Sequence, residues 1–565
     1  MASPPPQSAL LADLGEQYFA AKHSYDPFNA TLLGLTEFDG VTGSPSAETS
    51  ARAEARFAEL GQAVAALDPD TLSEAEKIDR QVLTGLLRGA ETDAHHSLWA
   101  ANISSAGYVS RQGTLFEALA ATEVMDDTTA DRYLSRLAAL PTYAAELAVR
   151  HRHEIAQGRL PTAVGVRNAV RQLRSEVAGG VDSALLRPVE REAGDQWRED
   201  AVAMVEASVR PALTELADVL EAEAAPVARP DDKVGVCWVP GGEEAYAAAL
   251  AQNTTTDLSP EQIHAIGLEM LAELDVAWAE IGQVAFGTGD RDDIVRQLRA
   301  DPALRFESSE QIVTLVADAM LRAEEALPRY FPADIEVGTC DIVELSAEES
   351  ANSALAYYRP PATDGSRNGA QCIATSDPAS RYRYEYEALC FHESTPGHHL
   401  QLATSQQLDL PRYRRYLDAE VCGFNEGWGL YTEQLADELG LYSDDYARLG
   451  MLSFQALRAC RLVVDTGMHA QGWTRQQAVD FMWENTATTR ENVEHEIDRY
   501  IAWPGQACAY AIGKREILRM RAEAEAALGE AFELPAFHWA VIRNGAIPLS
   551  VAAAAVRSWV ATATP

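Results

Sequence analysis

The strongest constraint on the fold is a helical repeat of apolar residues that runs through most of the chain. Segments rich in Ala, Leu, Glu and Arg have apolar residues returning at steps of three and four. Two of these segments begin with a capping pattern, because Ser73 precedes Glu-Ala-Glu and Ser259 precedes Pro260. The repeat therefore predicts a mainly α-helical protein. The predicted helices lie near 7–23, 49–67, 71–97, 128–156, 189–224, 259–282, 308–328 and 443–471.

Residues 334–376 depart from the helical repeat and alternate like β-strands around a Pro-Pro break. This pattern predicts a small β-sheet directly before the histidine-rich segment described below. The alternating runs are Ile335–Val337, Asp341–Leu345, Ala354–Tyr358 and Gln371–Ala374. We expect the last of these strands to pair with an extended substrate backbone, as exposed edge strands do.

The length of the chain predicts more than one lobe. At 565 residues, the chain exceeds the size at which a single hydrophobic core usually stops growing. The segment 225–242 is rich in Pro, Gly and Asp and is the best candidate for a junction. We therefore predict an N-terminal helical lobe, 1–225, and a catalytic lobe, 226–565, that contains the sheet.

Charge and hydropathy exclude several classes of partner. The chain has 85 acidic and 46 basic residues, a net charge of −39, which repels nucleic-acid phosphates and anionic lipids. We find no apolar run long enough to span a bilayer and no secretory pattern at the start. The seven cysteines form no CxxC pair, which is typical of a reducing compartment. We predict a cytoplasmic protein that binds neither nucleic acid nor membrane.

Three of the twelve histidines fall within residues 392–399, beside a glutamate. Imidazole is a favoured zinc ligand, and two histidines four residues apart commonly share one helix face. That spacing fails here, because the fourth residue after His392 is Pro396. A regular helix would turn His398 to the wrong side and place His399 too far along the axis. Either histidine therefore requires a break in the helix, which Pro396 and Gly397 permit. The residues alone leave both open.

The third ligand is expected to be an acid on a neighbouring helix. Glu426 follows His392 by 34 residues, and Glu433 lies two helical turns further on the same face. Zinc lowers the pKa of a bound water and polarises a carbonyl group. Glu393, next to His392, is placed to take a proton from that water and to hand it to a leaving amine. These residues predict a zinc-dependent hydrolase with Glu393 as its general base.

The motif resembles those of two helical metallopeptidase families. It reads HExGH in thimet-type oligopeptidases and HExxGH in dipeptidyl peptidase III, and this chain has the similar HExxxGH. The resemblance favours His398 over His399 as the second ligand, and His399 would then face the substrate. Thimet-type enzymes similarly carry two glutamates seven residues apart, the first of which binds zinc. Glu426 matches that ligand, and Glu433 matches the later acid.

The whole chain resembles a bacterial family described as domain of unknown function 885. Its signature, HExxxGHHLQ followed by FNEGW, is present, although Thr395 stands where an aliphatic residue is usual. The resemblance implies a mainly α, zincin-like helical metallopeptidase fold with a small β-sheet beside the active-site helix. It also implies one zinc ion per chain, held by His392, His398 and Glu426.

Related oligopeptidases use a tyrosine in a late, glycine-containing segment to stabilise the oxyanion. Tyr510 matches that position, and Tyr500 is the second candidate. Lys514 and Arg499 are the nearby cations that would hold the terminal carboxylate of a peptide. The resemblance thus implies a metallopeptidase that cleaves amide bonds of short peptides.

Two other functions share the same residues. The first is a zinc hydrolase or amidase that acts on a specialised, non-peptide metabolite. The second is a non-catalytic metal-binding scaffold. The intact Glu393 argues against the scaffold, because a structural metal site needs no general base.

Overall fold

The computed structural model of the chain describes residues 6–107, 109–179, 183–190, 196–345, 355–361, 367–415, 417 and 419–563. Within these ranges the chain is mainly α-helical and has one small three-stranded sheet, which confirms both predictions. Ala354, where one predicted strand begins, and residues 191–195 of the predicted helix 189–224 lie outside the described residues. Among the described residues, no helix is long and apolar enough to cross a membrane.

Twelve described helices precede residue 255. They are α1 (Gln7–Tyr25), α2 (Pro27–Leu32), α3 (Ala47–Ala65), α4 (Glu74–His96), α5 (Leu98–Ala101), α6 (Arg111–Ala121), α7 (Asp127–Ala156), α8 (Ala163–Ala178), α9 (Arg187–Glu190), α10 (Gln196–Met204), α11 (Arg210–Val219) and α12 (Gly242–Thr254). Two π-helical turns follow α10 and α11, at Val205–Val209 and Leu220–Ala224.

Thirteen more described helices follow. They are α13 (Pro260–Ala285), α14 (Arg291–Ala300), α15 (Ser309–Ala326), α16 (Arg383–Glu393), α17 (His398–Gln407), α18 (Arg412–Arg415), α19 (Cys422–Glu438), α20 (Asp445–His469), α21 (Arg475–Asn485), α22 (Arg490–Ala502), α23 (Ala509–Leu528), α24 (Leu534–Ile542) and α25 (Leu549–Ala563).

Both capping patterns recognised in the sequence begin helices. The Ser73 hydroxyl accepts a hydrogen bond from the backbone N–H of Glu76, whose carboxylate accepts one from the N–H of Ser73. Ser259 and Gln262 make the same reciprocal pair at the start of α13. Each pair satisfies N–H groups that the first helical turn would otherwise leave without partners.

The described chain forms two compact units. The first contains residues 1–249, 468–476 and 496–504, and the second contains residues 250–467, 477–495 and 505–565. Buried hydrogen bonds explain why late segments join the first unit. The His469 imidazole accepts from the Val236 N–H at 3.2 Å and donates to the Tyr500 carbonyl at 3.0 Å. The contacts thus divide the chain at several points, whereas the sequence predicts one junction at 225–242.

Helix α7 passes through the core of the first unit. Its Tyr133 and Leu137 are completely buried among apolar side chains from several helices. Arg136, between them, is also completely buried, and its guanidinium donates to the backbone carbonyls of Phe38 and Val41. These bonds connect the buried guanidinium to backbone carbonyls of the segment between α2 and α3.

The sheet consists of β1 (Cys340–Glu344), β2 (Ala356–Arg359) and β3 (Gly369–Ile373), with β3 in the centre. Strand β1 is parallel to β3, and β2 is antiparallel to it. The prediction that Gln371–Ala374 pairs with a substrate backbone is therefore wrong, because both sides of β3 are already paired. The predicted strand Ile335–Val337 is also wrong, since a turn holds the Ile335 N–H against the Pro332 carbonyl.

In the second unit, glycines bring helices α19 and α23 into direct backbone contact. A Cβ atom at Gly513 would lie 1.9 Å from the carbonyl oxygen of Gly423. One at Gly427 would lie 2.5 Å from the backbone of Gly513. Because no real Cβ approaches so closely, side chains at these positions would force the two helices apart.

Candidate metal centre

The histidine motif lies across a break between two helices. Helix α16 ends at Glu393, and α17 begins at His398. Ser394 and Gly397 have ψ angles of −138° and −130°, which are far from helical values. A Cβ atom at Gly397 would lie 1.8 Å from the carbonyl oxygen of His392, so this approach requires glycine. The break that the spacing demands is therefore present.

Helix α19 holds the break in place through two hydrogen bonds. The Trp428 indole donates to the Pro396 carbonyl at 2.9 Å, and the Thr432 hydroxyl donates to the Phe391 carbonyl at 3.0 Å. One bond therefore fixes the loop and the other fixes the end of α16. Together they set the position of Glu426, on the same helix, relative to the histidines.

His392, His398 and Glu426 converge on one point. The Nε2 atom of His392 and the Nε2 atom of His398 each lie 3.4 Å from Oε2 of Glu426. All three ligand atoms lie within 4.8 Å of one another. Ligands bound about 2.1 Å from a tetrahedral zinc ion are separated from each other by roughly 3.4 Å. Two imidazoles and one carboxylate at this spacing would fit the three protein ligands of a zinc ion and would leave a fourth position for water.

The other side of the His392 ring is fixed by Glu433. The Nδ1–H group of His392 donates to Oε1 of this completely buried carboxylate at 2.8 Å. This bond leaves Nε2 as the nitrogen that faces Glu426. Gly429 leaves room for the ring, because a Cβ atom there would lie 2.7 Å from Nε2. Glu433 thus orients the His392 ring through Nδ1, as carboxylates do for histidines in known metal sites.

The electrostatics of the cluster favour a positive charge among the carboxylates. Burial lowers the pKa of His392, but hydrogen bonds with Glu426 and Glu433 outweigh it and raise the pKa to about 9. Burial raises the pKa of Glu426, yet the two histidines hold that pKa well below its ordinary value. The acids thus stabilise a cation at this point, which is what a metal ion supplies.

Two further residues with predicted catalytic roles lie beside the His392–His398–Glu426 cluster. Glu393 directly follows His392, and its carboxylate makes no hydrogen bond or ion pair with the part of the chain that the structure describes. The Tyr510 ring lies nearly parallel to the His392 ring, with centroids 6.4 Å apart. On α20, the guanidinium of Arg461 lies 4.3 Å from the centroid of the Tyr510 ring, which is on α23. The Tyr510 ring is therefore next to His392 and next to a cation.

His399 lies at the sheet. Its Nε2–H group donates to the Gly338 carbonyl at 2.6 Å, and its Nδ1 atom accepts from the Tyr358 hydroxyl at 3.0 Å. Burial lowers the pKa of His399 and favours the neutral ring. Both nitrogens are thus engaged with residues of the sheet region, outside the His392–His398–Glu426 cluster.

Lys514 is enclosed in helix packing and not exposed in a cleft. It is 4% exposed, and its ammonium donates to Oε1 of Gln455 at 2.9 Å. Burial lowers the pKa of Lys514 to about 8. The residue follows Gly513, at the direct contact between α19 and α23. Its surroundings explain a role in packing more readily than the predicted contact with a substrate carboxylate.

Arg499 and Tyr500 belong to the first compact unit, whereas His392, His398 and Glu426 belong to the second. Both side chains contact Glu496. The Arg499 guanidinium lies 3.2 Å from Oε2 of this carboxylate, and the Tyr500 hydroxyl donates to the same oxygen. Their predicted roles in substrate binding and oxyanion stabilisation stay predictions.

Two buried arginines beside the site were not singled out from the sequence. Arg458 and Arg461 are each 6% exposed on α20, and Arg458 lies 3.6 Å from Oε1 of Glu433. The sequence does contain a signal for these two residues, because both arginines interrupt an otherwise apolar stretch of a predicted helix. Arginines are seldom buried without a partner, so such positions indicate a paired or functional charge.

Comparisons with known proteins place this architecture in a wider group. Residues 27–556 match the family described as "Bacterial protein of unknown function (DUF885)". No curated protein matches the chain. A crystal structure of a "putative lipoprotein" from Colwellia psychrerythraea is 26% identical, covers 98% of this chain and 99% of its own, and has a TM-score of 0.90. A "putative lipoprotein of unknown function" from Shewanella oneidensis is 19% identical, with 96% and 99% covered and a TM-score of 0.77.

Proposed function

The chain belongs to the DUF885 family of bacterial proteins of unknown function, and on that premise we propose that it is a zinc-dependent hydrolase that cleaves amide bonds in short peptides. The observation that carries the proposal is the ligand spacing. Two histidine nitrogens each lie 3.4 Å from one Glu426 oxygen, and Glu393, whose carboxylate acts electrostatically on His392, directly follows this first proposed ligand.

The proposed chemistry assigns each residue one task. Zinc, when bound, lowers the pKa of a water molecule and polarises a carbonyl group. Glu393 accepts a proton from water and transfers it to the leaving amine. Tyr510 donates a hydrogen bond to the oxyanion that forms at the attacked carbon. Glu433 keeps His392 in the tautomer whose Nε2 faces the ligand cluster.

The proposal includes a zincin-like arrangement of helices. In it, α16 supplies the first histidine and the base, α17 supplies the second histidine, and α19 supplies the acid. The break at residues 394–397 supports this reading, because it gives His398 a direction that a continuous helix could not give it.

A short peptide or peptide-like amide is the substrate that the burial of the centre supports. His392 is 3% exposed, Glu393 is 8% exposed and His398 is 9% exposed. An extended segment of a few residues reaches groups buried to this degree, whereas the surface of a folded protein does not. We also propose that the protein binds neither nucleic acid nor membrane, since its net charge of −39 repels nucleic-acid phosphates and anionic lipids.

The first prediction concerns the metal. A metal-replete preparation is expected to contain about one zinc ion per chain, and His398→Ala is expected to lose most of it because a ligand is removed. His399→Ala is the matched control, because its ring bonds to Gly338 and Tyr358 instead. Elemental analysis of the purified variants measures both. If His398→Ala retains zinc and His399→Ala loses it, the second ligand is His399 and not His398.

The second prediction concerns the substrate. Peptides of about three to ten residues are expected to be cleaved by the zinc-loaded protein and not after chelation. Casein serves as the long, unfolded comparison, and rapid cleavage of casein contradicts a preference for short substrates. If a zinc-loaded preparation cleaves no peptide, the hydrolysis of non-peptide amides becomes the better proposal. A preparation that hydrolyses neither class supports the metal-binding scaffold.

We propose a cytoplasmic location, which the absence of CxxC pairs among the seven cysteines supports. The two similar structures are of proteins described as "putative lipoprotein". Fractionation of cells that produce the chain therefore provides a direct check, and recovery in the membrane fraction contradicts the proposal.

A further inference from the structure

Arg458 is a buried cation with few bonds. It is 6% exposed, and its Nε atom is enclosed without a hydrogen-bond partner in the described part of the chain. The nearest acid is Glu433, whose Oε1 atom lies 3.6 Å from the guanidinium, beyond hydrogen-bond distance. That oxygen already accepts from His392 at 2.8 Å. Glu433 therefore gives Arg458 an ion pair without a hydrogen bond, and the Nε–H group has no acceptor among the described residues.

The guanidinium of Arg458 lies close to the residues to which we assign the chemistry. Its central carbon lies 6.0 Å from the centroid of the Tyr510 ring, and that ring lies 6.4 Å from the ring of His392. Arg461, one helical turn further along α20, lies 4.3 Å from the same Tyr510 centroid. Two arginine guanidinium groups thus lie on α20 beside the phenol that we assign to the oxyanion.

Two arginines at this position favour the binding of a negatively charged substrate. The chain carries a net charge of −39, and the centre itself contains Glu393, Glu426 and Glu433. A substrate carboxylate would be repelled unless cations lay close to its binding position. Guanidinium groups bind carboxylates through paired, charge-assisted hydrogen bonds.

We propose that Arg458, together with Arg461, binds the free C-terminal carboxylate of the peptide substrate, so that cleavage occurs near the carboxyl terminus. This inference rests on the proposed hydrolase function for the identity of the substrate. It takes the role that the sequence predicts for Lys514 and Arg499. Lys514 is bonded to Gln455 inside a helix contact, and Arg499 is paired with Glu496.

Binding, and not turnover, tests the inference. The protein is loaded with zinc and carries Glu393→Gln, so that ligands are not consumed. Calorimetry compares N-acetyl-Ala-Ala, N-acetyl-Ala-Phe and N-acetyl-Ala-Lys with the corresponding C-terminal amides. We expect at least one free acid to bind about ten- to a hundredfold more tightly than its amide, which is the effect of a charge-assisted hydrogen bond. Arg458→Gln is expected to remove this difference.

Arg448→Gln is the matched control. Arg448 is also on α20, but it pairs with Asp437 at 2.6 Å and with Asp445 at 3.0 Å. Its substitution removes the same charge from the same helix and is expected to preserve the preference for the free acid. Thermal unfolding of both variants shows whether each retains the fold.

Each outcome leads to a different conclusion. Equal binding of acids and amides, or no binding of either, removes the carboxylate contact and leaves the hydrolase proposal intact. A preference for acids that depends on Arg458, in a protein that hydrolyses nothing, keeps the contact and rejects the hydrolase. If Arg458→Gln weakens zinc binding and leaves the preference unchanged, Arg458 is a positioning residue for Glu433, and the inference is wrong.

Discussion

Glu393→Gln is expected to keep its zinc ion and to lose about 10²–10⁴-fold in kcat. The amide has nearly the same shape as the carboxylate but cannot accept the proton from water. The structure favours a clean result, because Glu393 has no hydrogen bond or ion pair within the described chain that the substitution would break. The measurement is kcat on the best peptide, together with zinc content. Near-normal turnover would exclude Glu393 as the base.

Glu433→Gln provides the contrast that separates the base from the orienting acid. Glu433 accepts from Nδ1 of His392 at 2.8 Å, so its loss is expected to weaken zinc binding about 10–100-fold. Restoring zinc by raising its concentration should recover much of the activity of this variant. The same treatment should not rescue Glu393→Gln. Rescue of both variants by zinc would show that Glu393 also acts through the metal.

Tyr510→Phe is expected to lower kcat about 10²–10³-fold and to change KM little. A donor to the oxyanion acts in the transition state, so its removal leaves the binding of the ground state almost intact. The Tyr510 ring stacks beside His392, which we propose as a zinc ligand, with ring centroids 6.4 Å apart. Steady-state kinetics on one peptide would separate the two constants.

Tyr431→Phe is the matched control for Tyr510. Tyr431 is a buried tyrosine on α19 whose hydroxyl is 2.7 Å from Nε2 of His538. Its substitution tests the general cost of removing a buried hydroxyl and is expected to leave kcat nearly unchanged. Tyr500→Phe tests the second candidate. If Tyr500→Phe is crippled and Tyr510→Phe is fully active, the two assignments exchange.

The helices were largely predictable because their signals are local. Apolar periodicity and serine caps depend on residues a few positions apart, and α4 and α13 begin where Ser73 and Ser259 indicate. The need for a break before His398 was also local, since Pro396 and Gly397 occupy the positions where a regular helix would fail. The sequence therefore predicted most of the kinds of element and the need for a break between His392 and His398.

What could not be predicted depends on contacts between distant segments. The alternation of Gln371–Ala374 identifies a strand but not its neighbours, and the pairing of β1 and β2 with it makes it central. From the sequence, Lys514 is expected to be an exposed cation on a helix. It is buried because glycines bring α19 and α23 into direct contact beside it. A functional role for Arg458 is suggested only by its proximity to Glu433 and Tyr510, which the structure shows. The spacing of residues along the sequence does not predict any of these distances between side chains.

The contact of α19 with α23 also determines how this enzyme candidate could be engineered. Glu426 is on α19 and Tyr510 is on α23. The distance between these two helices is set by backbone contacts at glycines and not by side chains that could be varied. Libraries of substitutions at Gly423, Gly427 or Gly513 would therefore change the separation of ligand and phenol abruptly and would yield few active variants. Selection for new substrates should succeed sooner on α20, where side chains and not backbone face Tyr510.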